Sequence, residues 1–456
     1  MSLNPRLLRV AVVGSGPSGL YTVEALTAQD DIPISVDVLD RLPAPFGLVR
    51  YGVAPDHESI RSARGTLEKV FARPGVRFLG NVDIGQDLDL VDLHRHFDAV
   101  VFAYGAARDR RLGIPGEDLA GSVAATDFVA WYCGHPDAPR EQIESSFVGA
   151  RSAVVVGMGN VAVDVTRLLA KTADEIEHTE MPQHVLDAFA ASSVTDIYVL
   201  GRRGPVQASF TTKELRELGE LADADVLVTP EDLVLDPLSE EVVRGNRLLA
   251  RNVDVLRDWS GRATSGQRGR RIHLRFLTKP IEIIGSGRVK GVVVERTRID
   301  EVGAATGTGQ TSVIEADLVI RSVGYRGQPI EGLSFDPVRG VVPNEVGRVT
   351  RDGSVVTGEY VAGWIKRGPS GVIGTNKKDA AQTAASLLAD AAGLPTAPEP
   401  HPEAFTTLLC ERSVQCVTWD GWRMIDAAEV SLGGSYGRRR TTLHDREALL
   451  ENARER

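Results

Sequence analysis

The sequence predicts an α/β fold made of two interleaved, three-layer, Rossmann-like halves, and three observations predict it. Glycine-rich turns occur twice, as Gly14-Ser15-Gly16-Pro17-Ser18-Gly19 and as Gly157-Met158-Gly159-Asn160-Val161-Ala162. Each follows an apolar run of strand length, Leu8–Val13 or Ser152–Val156, and precedes a helical pattern. The residues beyond the two turns also differ in sign: Asp40 follows the first, and Gly201-Arg202-Arg203 follows the second. A strand-to-helix glycine turn presents backbone N–H groups that hold a pyrophosphate against a helix N-terminus. A carboxylate beyond it accepts hydrogen bonds from a ribose diol, whereas an arginine pair suits a 2′-phosphate. One polypeptide is therefore expected to hold two different dinucleotides, which points to electron transfer between them.

The elements follow in order. Leu8–Val13 reads as a buried parallel strand, residues 20–28 as the helix behind it, and residues 36–39 as the strand that delivers Asp40. Residues 41–57 carry three prolines and two glycines among them and are expected to form a long loop. Short strands are predicted at 76–78 and 99–103. The second unit reads as Ser152–Val156, a helix over 161–170, and the strand Asp196–Leu200 leading to the arginines. The apolar run 317–323 ends in Gly324-Tyr325, much as 99–103 ends in Tyr104-Gly105, so the chain is expected to return there to the first half. The domains predicted are 1–108 and 324–456 for the first half and 109–323 for the second, with a C-terminal extension from about residue 395. The proline-rich stretch 393–404 reads as a linker to that extension.

Composition narrows the function. A net charge of −10 leaves no basic excess to neutralise nucleic-acid phosphates, so no nucleic-acid partner is expected. An acidic partner must then dock on a local basic patch. Cys133, Cys410 and Cys416 form no C-x-x-C pair, which removes a redox dithiol and any four-thiolate metal site. No metal is expected. A disulfide framework is equally unexpected, so a reducing cytoplasm is the default location. No stretch approaches the roughly 18 apolar residues of a membrane span, and the N-terminal apolar run is too short for a secretory signal.

Each motif has a bland alternative. A lone glycine turn is common in any α/β protein, but here the strand, helix and acid are all in place. Ala162 stands where a third glycine usually serves close helix–strand packing, and alanine is a small enough substitute. Arg202-Arg203 alone is a solvated pair; at a strand end beside a dinucleotide turn the two become phosphate ligands that favour NADPH over NADH. His57, at the end of the long loop, and Glu214, past the arginine pair, are candidate catalytic residues whose alternatives are a structural histidine and a solvated acid. Arg244, Arg247 and Arg251 are spaced for one helix face, either solvated or a docking patch for an acidic protein.

With these residues assembled, the chain resembles the adrenodoxin reductase family, and within it the actinobacterial NADPH-ferredoxin reductases, over nearly its whole length. The strings that carry the resemblance include Pro45-Phe46-Gly47-Leu48-Val49-Arg50, Gly52-Val53-Ala54-Pro55-Asp56-His57, Gly113-Ile114-Pro115-Gly116-Glu117-Asp118 and Gly371-Val372-Ile373-Gly374-Thr375-Asn376. The resemblance implies a glutathione-reductase-like fold with FAD in the first half and NADP in the second. It implies FAD contacts at Gly14, Gly16, Ser18, Gly19, Asp40, Leu48, Val82, Trp364, Gly371, Val372 and Ile373. It implies NADP contacts at Arg110, Gly157, Gly159, Asn160, Val161, Arg202, Arg203, Glu214 and Gly371. The implied activity is hydride transfer from NADPH to FAD, then single-electron transfer to a ferredoxin-type iron–sulfur protein; the spacing of Arg244, Arg247 and Arg251 adds the expectation that this partner is acidic and docks there. A monomer or weak homodimer is expected. Asp40 stands where many relatives carry glutamate, and the segment after about residue 395 matches the family poorly, so no role is carried over there. The alternatives are another NADPH-dependent flavin oxidoreductase, such as a monooxygenase or diaphorase, or a dinucleotide-binding redox sensor. A thioredoxin-reductase-type enzyme would need the absent C-x-x-C.

Overall fold

The computed structural model describes residues 6–262, 266–371 and 373–454. The chain divides into two compact units. Met1–Arg108, Cys133–Pro136 and Tyr325–Arg456 make up the first, Asp109–Tyr132 and Asp137–Gly324 the second.

The first unit is built on an eight-stranded sheet. Its centre is parallel, in the order Ser354–Val361, Ala99–Phe102, Leu8–Val13, Ile34–Asp40, Val76–Gly80. Side-chain alternation sends each strand's apolar residues to two different cores. Val10, Val12, Val36, Val38 and Val101 face one core with the helix Pro17–Leu26, while Ala11, Val13, Leu39, Val100 and Phe102 face the other with Leu93, Phe97 and Phe405. A parallel sheet covered on both faces is the three-layer architecture the apolar runs predict.

The second unit has a six-stranded sheet in the order Ser122–Ala124, Leu318–Arg321, Ser152–Val156, Asp196–Leu200, Arg270–Arg275, Ala224–Val228, with every pair parallel. An antiparallel sheet of Thr278–Gly285, Val289–Ile299 and Ala305–Glu315 covers one face. Ile283, Val292 and Val294 pack there against Val154, Val156 and Val319. In Val289–Ile299 the valines at 289, 292 and 294 are buried while Lys290 and Arg298 are exposed, which gives the strand a core side and a wetter side.

Two sequence expectations are corrected. The stretch 393–404 is not a linker, because Ala397 N–H donates to the buried Asp98 carboxylate at 2.8 Å and Glu399 N–H to the Arg95 carbonyl at 2.9 Å. These bonds give the proline-rich backbone fixed partners, and the chain beyond it joins the first unit: Val417–Thr418 adds an antiparallel edge strand to Val76–Gly80, and Trp422 is buried in the core. The long loop 41–57 also contains one helical turn, Leu48–Tyr51, made possible where no proline interrupts it.

Candidate functional site

In the first unit the strand Leu8–Val13 is followed directly by Gly14, and the helix Pro17–Leu26 begins three residues after that glycine. Gly14 has φ of +110°, and a Cβ there would lie 2.5 Å from the Ala103 carbonyl oxygen; one at Gly19 would lie 1.9 Å from that of Gly14. Both positions need glycine. Gly16 is different: the nearest atom to a Cβ would be Gly47 Cα at 3.9 Å, so what its lack of a side chain keeps clear is the approach to the helix. No side chain caps that helix N-terminus. Asp40 accepts from the Ser15 N–H at 2.9 Å and its hydroxyl at 2.5 Å through one oxygen, and from the Leu42 N–H at 2.9 Å through the other. Ser15, which sequence reasoning passed over inside the glycine string, therefore orients the acid.

The remaining FAD-assigned residues gather around this turn. Val82 N–H donates to the Asp40 carbonyl at 2.9 Å, and Leu48, which opens the helical turn, is exposed beside three buried residues. Ser18 donates to Asn376 at 3.0 Å, which ties the turn to the helix Ile373–Asp390. Gly363 (φ +78°) backs onto Ser18, where a Cβ would meet the hydroxyl at 2.1 Å, and its N–H donates to Asp379 at 2.6 Å. Next to it, the Trp364 indole N–H is buried without a hydrogen-bond partner among the described residues. Gly371 (φ +82°) and Ile373 lie at the start of the Ile373–Asp390 helix, and Val372 lies outside the described residues. A bare helix N-terminus, an oriented carboxylate and an indole donor without a partner fit a flavin dinucleotide.

The second unit repeats the turn. Gly157 (φ +139°) would bring a Cβ within 2.1 Å of the Ser322 carbonyl, whereas at Gly159 the nearest atom would be Ser209 Oγ at 3.4 Å. Ala162 is fully buried, so this turn accommodates the methyl group that the first excludes at Gly19. Val161 follows Asn160, whose side chain accepts from the Thr211 N–H at 2.9 Å, and the Ser209 N–H donates to the Met158 carbonyl at 2.8 Å. These bonds stitch residues 209–211 to the glycine turn and seat the helix Thr212–Gly219, which carries buried Glu214. The carbonyls of Arg202 and Arg203 accept from Thr297 Oγ1 and the Leu277 N–H. Their guanidinium groups are exposed and make no hydrogen bond or ion pair among the described residues. Two uncommitted cations beside a bare helix N-terminus fit a dinucleotide bearing an extra phosphate. Arg110 is exposed, with its N–H on the Gly324 carbonyl at 2.8 Å.

His57 is buried in the first unit at the start of the short helix Glu58–Arg61. The Arg244, Arg247 and Arg251 face is corrected. Helix Pro237–Gly245 ends before Asn246, whose side chain accepts from the Leu248 and Leu249 N–H groups and starts a second helix, Arg247–Ser260. An asparagine cap beside glycine breaks what the spacing suggested was continuous. Arg247 and Arg251 share the second helix; Arg244 lies in the last turn of the first, 3.9 Å from Glu240. Elsewhere in the second unit, burial pushes the Asp109 carboxyl up to about 7, against the opposing Ala125 N–H bond and the Arg321 charge.

Two parallel-sheet units, each with a glycine turn opening on an uncapped helix, define a pyridine-nucleotide oxidoreductase fold. Residues 8–200 match the pyridine nucleotide-disulphide oxidoreductase family. The NADPH-ferredoxin reductase FprA of Mycobacterium leprae is 43% identical over 453 residues, covering 97% of each chain. The mitochondrial NADPH:adrenodoxin oxidoreductase of Arabidopsis thaliana is 38% identical over 469 residues, covering 99% of this chain and 96% of its own. The solved structure of Mycobacterium tuberculosis FprA in complex with NADPH aligns with a TM-score of 0.91 at 41% identity, over 98% of this chain and all of that one. The chain belongs to the NADPH-ferredoxin and adrenodoxin reductase family.

Proposed function

We propose that this protein is an NADPH-ferredoxin reductase, with FAD held by the first unit, including its C-terminal segment, and NADPH by the second. The observation that carries the reading is the asymmetry beyond two otherwise equivalent turns: an oriented carboxylate at Asp40, uncommitted guanidinium groups at Arg202 and Arg203. Asp40 accepts the adenosine ribose hydroxyls of FAD, and the helix N-terminus behind Gly16 faces its pyrophosphate. Trp364 supplies an indole N–H donor. Arg202 and Arg203 bind the 2′-phosphate, and Gly159 with Asn160 and Val161 faces the NADPH pyrophosphate. Buried His57 and Glu214 orient the reactants or hold a proton. Bound FAD supplies the chemistry that the chain lacks, accepting a hydride from NADPH and passing electrons on one at a time.

The acceptor is an acidic ferredoxin-type protein, attracted by the basic side chains of Arg247 and Arg251, which share the helix Arg247–Ser260. All three cysteines are free, which supports a reducing, cytoplasmic location, and no helix among the described residues is long and apolar enough to cross a membrane. The test is an anaerobic NADPH titration followed through flavin absorbance, then cytochrome c reduction with and without ferredoxin. Strict dependence of cytochrome reduction on ferredoxin is expected. Turnover indifferent to ferredoxin would refute the assignment.

A further inference from the structure

Glu429 lies midway along the helix Trp419–Ser435, in the C-terminal segment to which the family resemblance gives no role, and it is fully buried. Its carboxylate accepts from both terminal nitrogens of Arg50, from Arg440 Nη1 at 2.9 Å and from the Leu443 N–H at 2.8 Å. Arg50 is 2% exposed, with its guanidinium 5.2 Å from the Trp422 ring and 4.9 Å from that of Tyr51. Phe46 meets Trp422 edge-on at 5.7 Å.

Apolar packing alone would anchor this turn at least as cheaply, because a buried ion pair adds little stability over well-packed hydrophobic residues. A forked guanidinium–carboxylate pair adds direction. That direction is passed on along the backbone. The Phe46 N–H donates to the Ser15 carbonyl at 3.1 Å, and a Cβ on Gly47 would lie 3.0 Å from Gly16 Cα, so this turn rests on the first glycine turn. Phe46 (φ +84°) and Gly47 (φ +49°) are both in the left-handed region, which a non-glycine residue such as Phe46 leaves unless its surroundings hold it there.

We propose that Glu429 is a positioning residue for flavin binding: through Arg50 it fixes residues 46–52 against Ser15 and Gly16, so the C-terminal segment sets how tightly and in what geometry FAD is held. The proposal rests on the assignment of FAD to the first unit. In the holoprotein, Glu429→Gln should release FAD at least tenfold faster, read as flavin fluorescence, and should alter the visible circular dichroism of the bound flavin. Glu429→Asp keeps the charge on a shorter stem and should fall between Gln and wild type. FAD release within twofold of wild type and an unchanged flavin spectrum in the folded variants would overturn the proposal, even with a lowered Tm. Hydrogen exchange on the wild-type chain needs no variant: FAD should slow exchange both in residues 46–52 and in the helix around Glu429. Protection confined to residues 46–52 refutes the coupling. Wild-type protein that takes up no FAD would overturn the cofactor assignment instead.

Discussion

Replacing Arg202 and Arg203 by alanine, singly and together, isolates coenzyme choice from stability. Neither guanidinium bonds to another described residue, and their backbone carbonyls stay pinned by Thr297 and Leu277 whatever side chain is present. Truncation therefore breaks no internal bond, and a stability change within about 0.5 kcal/mol is expected, as for ordinary surface sites. Charge-assisted hydrogen bonds contribute about 1.5–3 kcal/mol each, and solvent around these exposed groups favours the lower figure. At about 1.4 kcal/mol per tenfold, each single replacement should raise the Michaelis constant for NADPH roughly tenfold and the double replacement roughly a hundredfold. NADH has no 2′-phosphate, so its constant should move by less than about twofold. The assay is steady-state ferricyanide reduction with each coenzyme at several ionic strengths. The wild-type NADPH constant should also rise with salt, and that dependence should flatten in the variants. An unchanged ratio of the NADPH and NADH constants would refute the assignment of these arginines.

Burial holds Asp109 near 7, so folding favours its protonated form. The unfolded chain gives up this proton near the ordinary carboxylate value, so stability falls as pH rises from about 4 through 7. Asp109→Asn should remove that fall and gain on the order of 2–4 kcal/mol at pH 8 in urea unfolding; a variant with the parent's dependence of stability on pH refutes it. Gly19→Ala would put a Cβ 1.9 Å from the Gly14 carbonyl, so the purified protein should be poor in FAD and melt lower, whereas Ala162→Gly, which loses one buried methyl and some helix propensity, should cost about 1–2 kcal/mol and keep its coenzyme site. Full FAD content with a parental Tm in Gly19→Ala would count against the tight turn. Charge reversal at Arg247 and Arg251 should depress ferredoxin-dependent turnover and its salt sensitivity while ferricyanide turnover persists; equal loss with both acceptors would dismiss the docking role.

Local features were the legible ones. The strands Leu8–Val13, Ser152–Val156 and Asp196–Leu200 were readable because a buried parallel strand is a short apolar run between turn residues. The glycine turns were readable because every steric demand on them lies within a few residues or at the end of an adjacent strand. The antiparallel cover sheet 278–315 was not, since its strands mix polar and apolar residues and contain glycines that resemble loop. Asn246 was missed for a related reason: spacing by three and four registers a helix face but not a cap that divides it.

The C-terminal segment shows where such reading stops. Glu429 in isolation is one acid in a helix, for which solvation is the ordinary expectation, and Arg50 lies 379 residues away. Nothing near either residue marks the other as its partner, and the prolines between 393 and 404 read as a linker because proline has no N–H to offer a neighbour. Yet it is the non-proline residues there, Ala397 and Glu399, whose N–H groups tie the stretch down. A buried carboxylate that faces two guanidinium groups must satisfy both or destabilise the fold. The C-terminal segment, which the relatives match over 97–99% of the chain although its sequence is expected to match poorly, is thus bound by its own electrostatics to the backbone beside the first glycine turn.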